Sequence, residues 1–174
     1  MLKISALRAV RLALTAAALM ILVALLWMGG RRARAEPVNA DGTTPLEMTV
    51  VGGPDLNPNS GGRASPVEVR IFDLAASKAF ESADFQSLFE GAGEVLKQDL
   101  VAQEEFMLRP GDIQPRNRNL APQVKVLGVT AAFRDVEHAI WRLTIPVVPG
   151  RRNFLLIDVD RSVIRLMPVD PAQP

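Results

Sequence analysis

Apolar residues run almost unbroken from Leu12 to Met28, interrupted only by Thr15, and no later part of the chain sustains such a stretch. As a helix these positions would span roughly 26 Å, just short of a ~30 Å hydrocarbon core. From Leu46 onward short alternating runs take over. Residues 46–51 are apolar at Leu46, Met48 and Val50. Residues 67–74 set Val67, Val69 and Ile71 on one face and Glu68 and Arg70 on the other. Both are the period of a strand with one buried face. Between them, residues 52–66 (GGPDLNPNSGGRASP) carry turn formers and no helical period. That connection is far longer than a hairpin loop, and long ordered loops in compact domains are often functional.

The period then changes. Phe80, Phe85, Leu88, Phe89, Leu96 and Leu100 fall at mostly three- and four-residue spacings, which predicts a helical insertion of two short helices broken near Gly91 and Gly93. Ser77 or Ser82 could cap it, and the Phe80, Phe85, Leu88, Phe89 stripe reads as its core-facing side. Strands return at 101–108, 124–133, 141–147, 154–159 and 161–169, with 114–122 polar and irregular and an acidic turn at 158–160. Gly128 sits where the apolar parity changes and could mark a bulge. About seven strands with one helical excursion predict a mainly β fold, a two-sheet antiparallel sandwich.

Composition sharpens this. Of 174 residues, 48% are hydrophobic and 22% charged, which suits a packed core. Lys+Arg (20) nearly balances Asp+Glu (19), excluding a strongly basic nucleic-acid binder, and the absence of cysteine removes disulfides, thiolate metal sites and thiol catalysis. The balance hides an asymmetry: residues 1–35 hold Lys3, Arg8, Arg11, Arg31, Arg32 and Arg34 and no acid, leaving residues 36–174 at about −5. A basic end, the apolar run and the triplet Ala33-Arg34-Ala35 describe either a cleaved secretory signal or an uncleaved single-span anchor. Both deliver the remainder out of the cytoplasm. The expected organisation is a signal or anchor over 1–35, a linker over 36–45 (EPVNADGTTP) and one β-sandwich domain over 46–170.

Five segments then carry a resemblance. DLNPN at 55–59, SPVEVRIFDL at 65–74, AFESADFQSLFE at 79–90, VLKQDLVAQEEFMLRPG at 95–111 and LGVTAAFRDVEHAIWR at 127–142 resemble, in order and spacing, the type VI secretion lipoprotein family called TssJ, VasD or SciN. The resemblance implies a transthyretin-like β-sandwich in the periplasm, a non-enzymatic structural part of the TssJ–TssL–TssM membrane complex. It implies docking onto the periplasmic C-terminal region of TssM through the loop between the first two strands, here residues 53–63. Pro54, Asp55, Leu56, Asn57, Pro58, Asn59 and Arg63 are the expected partner-binding residues. Members of that family usually carry a lipobox cysteine; these 174 residues contain none, so a thioether-linked lipid has no attachment point on them. The apolar run 12–28, if uncleaved, would hold the domain at a membrane instead. The alternative is a membrane-anchored transthyretin-like binding or carrier domain with another partner.

The loop's residues fit recognition in physical terms. Pro54 and Pro58 restrict it before binding, which lowers the ordering cost. Asp55, Asn57, Asn59 and Arg63 could hydrogen-bond across an interface, and Leu56 is either an apolar anchor or a plug in the core. The same loop loosely resembles a calcium loop, but its glycine is displaced and Pro66 stands where the closing glutamate belongs. No other motif calls for a cofactor, metal or nucleic acid. His138 is the single histidine, beside Glu137, and no serine lies in a nucleophile elbow. Glu104 and Glu105, adjacent on a strand, point to opposite faces and cannot act as paired carboxylates. Asp158 and Asp160 share a face but read as flanking a turn. Arg134–Asp135 and Trp141–Arg142 read as structural pairs, the latter a stacked guanidinium.

Overall fold

The computed structural model describes residue 39 and residues 41–169. The apolar run 12–28 and most of the expected leader and linker lie outside the described residues. The described end of the linker forms a turn, with Asp41 accepting from the backbone and hydroxyl of Thr43; those two bonds hold the Asp41 carboxyl below its usual range.

Among the described residues, nine strands build two sheets. They are β1 (Thr44–Gly52), β2 (Val67–Leu74), β3 (Leu100–Leu108), β4 (Ile113–Pro115), β5 (Arg118–Leu120), β6 (Val126–Ala131), β7 (Arg142–Pro146), β8 (Asn153–Asp160) and β9 (Val163–Met167). One sheet runs β3-β2-β6-β7, wholly antiparallel; the other runs β4-β1-β8-β9, with β5 beside β4 on the same edge of β1. The β1–β8 pair is parallel, from Leu46 opposite Asn153 to Gly52 opposite Val159, the one parallel ladder between named strands. A two-sheet sandwich is therefore what forms, with two strands more than the alternation showed. β5 lies in the segment read as irregular and β4 overlaps its start; both are three-residue strands that take their pairing from β1.

The alternation predicted for β1 and β2 holds. Leu46, Met48, Val50, Val67, Val69 and Ile71 face the space between the sheets and meet Leu127, Val129, Ile157, Val159 and Ile164 there. Each fully buried side chain of this size contributes about 1.5–3 kcal/mol before entropy is subtracted. Side-chain charge closes one flank: Arg118 bonds the buried Asp73 carboxylate at 2.5 Å, and Arg116 meets Glu104 at 2.7 Å. Glu105 points the other way, to Arg70 at 3.5 Å. A β-bridge between Ile140 and Val163 joins the sheets on the opposite flank.

The insertion after β2 consists of α1 (Lys78–Ser82) and α2 (Phe85–Leu96), followed by a short 3-10 turn. Ser77 precedes α1 without a side-chain bond, so the helix-capping work falls to Asp84 at the start of α2. Its carboxylate accepts from the Ser87 amide and hydroxyl, which lowers its pKa. The break between the helices falls at residues 83–84, and Gly91 is a kink inside α2. Phe80, Leu88, Ala92 and Leu96 form a second core with Phe72 and Leu74 on the outer face of β2. Phe85 and Phe89 stack on one another; Phe85 meets Trp141 edge-on, and Arg70 lies over Phe89. Arg142 stacks on Trp141 and donates to the carbonyls of Phe80 and Ala83, tying the insertion to β7.

Gly128 is not a bulge. β6 pairs without a break across it, and the one register shift in this sheet is at Asp73/Leu74. The glycine instead leaves room for the Phe80 ring: a Cβ there would lie 2.7–2.9 Å from three ring carbons. Forcing a methyl into this contact costs about 1–3 kcal/mol. We expect Gly128→Ala to lower the urea midpoint, and Phe80→Leu to cost less in that background than alone. A Gly128→Ala variant as stable as the parent would show that Phe80 is free to move.

Candidate functional site

Residues 53–66 connect β1 to β2 across one end of the sandwich, and the glycine pair before the loop tip is there for close approach. A Cβ on Gly52 would meet the Arg109 carbonyl oxygen at 2.4 Å, and one on Gly53 would meet the Asp160 carboxyl carbon at 2.2 Å. Gly52 exchanges backbone bonds with Gly111 and Asp112 of the β3–β4 turn, and the Gly53 amide donates to Val159. Three other connections thus gather around this loop: residues 109–112, 132–141 and 161–162.

Leu56 and Asn57 anchor it. Of the two roles open to Leu56, the structure gives it the core: the side chain has no exposed surface and packs with the residues between the sheets. It cannot contact a partner while the loop is closed. Asn57 is also buried, 4% exposed, and sits in the left-handed region at φ 46°, which asparagine tolerates better than most residues. Its amide NH donates to the Arg161 carbonyl at 2.8 Å. Its side-chain amide donates to Pro66 at 2.8 Å and accepts from the Arg134 backbone amide at 2.9 Å. One side chain therefore links its own loop to the β6–β7 connection, leaving no polar atom for an interface. Leu56 packs into the core and the side-chain amide of Asn57 bonds internally, because both point into the fold.

The remaining expected residues lie nearer solvent. Pro54, Asp55 and Arg63 are exposed, and Pro58 and Asn59 are half-buried. Asn59 shapes the tip: its side-chain oxygen accepts from the amides of Gly61 and Arg63, and its own amide donates to the Arg63 carbonyl. Asp55 is held at both ends, its amide donating to Asp160 and its carboxylate accepting from Arg161 at 2.9 Å. Ser65 closes the loop with an amide bond to the Leu56 carbonyl. The result is a long connection pinned at its middle, with a tip exposed over residues 60–63.

Other sequence candidates resolve simply. Asp158 and Asp160 share a face within β8, and the turn falls after them at Arg161–Ser162; Asp158 pairs with Arg165 at 3.1 Å and Asp160 caps Asp55. Among the described residues, no group of three or more His, Cys, Asp or Glu is placed to hold a metal. His138 bonds Asp135 through Nδ1 at 2.7 Å, and that bond raises its pKa above the ordinary value. Asp135 is thus engaged with His138, and Arg134 makes no ion pair with it. The sequence reading missed the part that residues 109–112, 134 and 161 play at this end. The signal for Arg134 was a charge in a turn, which spacing alone cannot attach to a loop 77 residues away.

The matches to known proteins agree with this fold. The family model T6SS-SciN, described as type VI secretion lipoprotein, VasD, EvfM, TssJ, matches residues 44–162. A comparison with curated protein sequences returned no match. Among solved structures, the T6SS lipoprotein TssJ1 from Pseudomonas aeruginosa is 35% identical with a TM-score of 0.70, the match covering 74% of this chain and 99% of that one. A chain of a structure described as a type VI membrane complex is 29% identical, TM-score 0.64, with 71% and 98% covered. A chain of the structure described as the T6SS protein TssM C-terminal domain (869-1107) from EAEC is also 29% identical, TM-score 0.61, with 72% and 98% covered. With the family model spanning both sheets and the insertion, and a relative of the same fold 35% identical, the chain belongs to the type VI secretion lipoprotein family of TssJ, VasD and SciN.

Proposed function

We propose that this protein is a structural, non-catalytic component of the type VI secretion membrane complex. Its β-sandwich docks onto the periplasmic C-terminal region of TssM through the exposed tip of the β1–β2 loop. The observation that carries the reading is the loop itself: fourteen residues of backbone, held by Leu56 and Asn57, present Pro54, Asp55 and residues 60–63 to solvent, with Pro58 and Asn59 half-buried beneath them. A pre-ordered loop spends little conformational entropy on binding. Support for the partner comes from relatives of this chain in structures described as a type VI membrane complex and as the TssM C-terminal domain. The domain acts in the periplasm, in association with a membrane. These 174 residues carry no thiol for acylation; what they offer for the association is the apolar run 12–28 and the surface that binds the partner.

Calorimetric titration of the full chain in mild detergent with the recombinant C-terminal periplasmic region of TssM from the same organism tests this. A saturable one-site isotherm is expected. Replacing residues 59–63 by a Gly/Ser run of equal length, which spares Leu56 and Asn57, is expected to weaken it at least tenfold, about 1.4 kcal/mol. Absence of binding by the folded parent would overturn the docking role; an unaffected loop variant would overturn the loop as its site.

A further inference from the structure

The end of the sandwich that carries the β1–β2 loop has an uneven distribution of satisfied charge. Its carboxylates are mostly engaged internally. Asp55 is bonded by Arg161, Asp112 by the Arg109 amide and Gln114, Asp135 by His138, and Asp160 by the Asp55 amide. Arg63, Arg109 and Arg134 are exposed, and their guanidinium groups have no ion pair or hydrogen bond among the described residues. Among the described residues, Glu137 is the one exposed carboxylate at this end in the same state. The three arginines come from three connections, and those connections are fixed relative to one another. Arg109 follows β3, whose turn is bonded to Gly52, and Arg134 is bonded through its amide to Asn57.

We propose that the docking surface is a composite of three connections, not the β1–β2 loop alone. On it Arg63, Arg109 and Arg134 receive carboxylates from an acidic face of the protein partner. The proposal rests on the docking reading above and adds the partner's chemistry and two further contact residues. The guanidinium fork matches a carboxylate in two parallel bonds, and three such forks on a preset frame favour one orientation of the partner. A folded acidic surface fits better than an anionic bilayer, because Asp135 and Glu137 stand beside Arg134 and would repel a uniformly negative plane. The carboxylates on this end also repel an acidic partner wherever its charges miss the arginines, which adds to the orientation.

The test measures affinity of the full chain for the TssM C-terminal periplasmic region at 50 and 500 mM NaCl, for the parent and for Arg63→Glu/Arg109→Glu/Arg134→Glu. All three side chains are exposed, so the triple variant is expected to unfold at the parent's temperature. The expected result is a parent affinity that falls with salt and a triple variant at least tenfold weaker at 50 mM. Arg151→Glu, in the β7–β8 connection at the opposite end, serves as the control and should leave affinity unchanged. A triple variant that binds like the parent, with no salt dependence, would overturn the acidic partner face while the docking reading stands. A parent that does not bind would overturn both. Arginine-dependent binding to phosphatidylglycerol vesicles, with affinity for the TssM region unchanged, would mark a lipid surface and overturn the proposal.

Discussion

Leu56→Asp is expected to abolish the cooperative native state or lower its melting temperature by roughly 10 °C or more. The leucine is wholly buried between the sheets, with Val50, Val67 and Val159 in the same cluster. Removing a buried leucine side chain costs about 2–5 kcal/mol through lost transfer energy and the cavity left behind. The aspartate adds a further cost, because its carboxylate must either be protonated or be buried without a cation beside it. The sum is comparable with the ~5–15 kcal/mol that holds a domain of this size together. Thermal unfolding followed by circular dichroism checks it. A variant that melts with the parent would mean that the loop opens readily and that Leu56 reaches solvent, which would restore it as an interface anchor. For the same reason this substitution cannot serve as a probe of docking. Changes at the tip, which leave the plug in place, can.

Asn57→Ala should cost about 2–4 kcal/mol, most of it local to the loop end. Two hydrogen bonds are lost, to Pro66 and from Arg134, each about 1 kcal/mol and more where the abandoned group stays away from water. Alanine also fits the left-handed conformation at φ 46° less well than asparagine. Asn57→Gly relieves the second cost but not the first, and so should fall between parent and alanine variant. Hydrogen exchange reads the consequence directly: the amides of Asn57 and Ser65, bonded to Arg161 and Leu56, should exchange faster in Asn57→Ala while β2 and β6 amides stay protected. Uniform acceleration across both sheets would mean that the side chain supports the whole fold; unchanged exchange at the loop would mean that Leu56 alone pins it.

How far the sequence could be read follows from the range of the interactions involved. The faces of β1 and β2, the helical insertion and its apolar stripe were legible because period 2 and period 3.6 are local. Glu104 and Glu105 were correctly separated by the same argument. Leu56 could not be assigned, since one leucine in a polar loop has no periodic neighbours to show which way it points. Gly128 stood out by parity, yet the reason for it was the Phe80 ring, 48 positions earlier. β4 and β5 left no trace, because a three-residue strand is too short to show a period and is defined by its partner, not by its own residues.

The sequence alone determined the class of fold, the place of the insertion and the absence of thiol chemistry in these 174 residues, along with the five segments that carry the family likeness. Each depends on spacing within a few residues or on composition. The tertiary structure decided the rest: the parallel β1–β8 pair, the Asp73–Arg118 closure, and the turning inward of Leu56 and Asn57 within an otherwise polar loop. It also decided which arginines at that end are left without a carboxylate. The first two are pairings between residues 45 and 107 positions apart, and all are selected by burial and by the need of every inward polar group for a partner. No local pattern encodes that choice, because the partner is present only once the chain has folded.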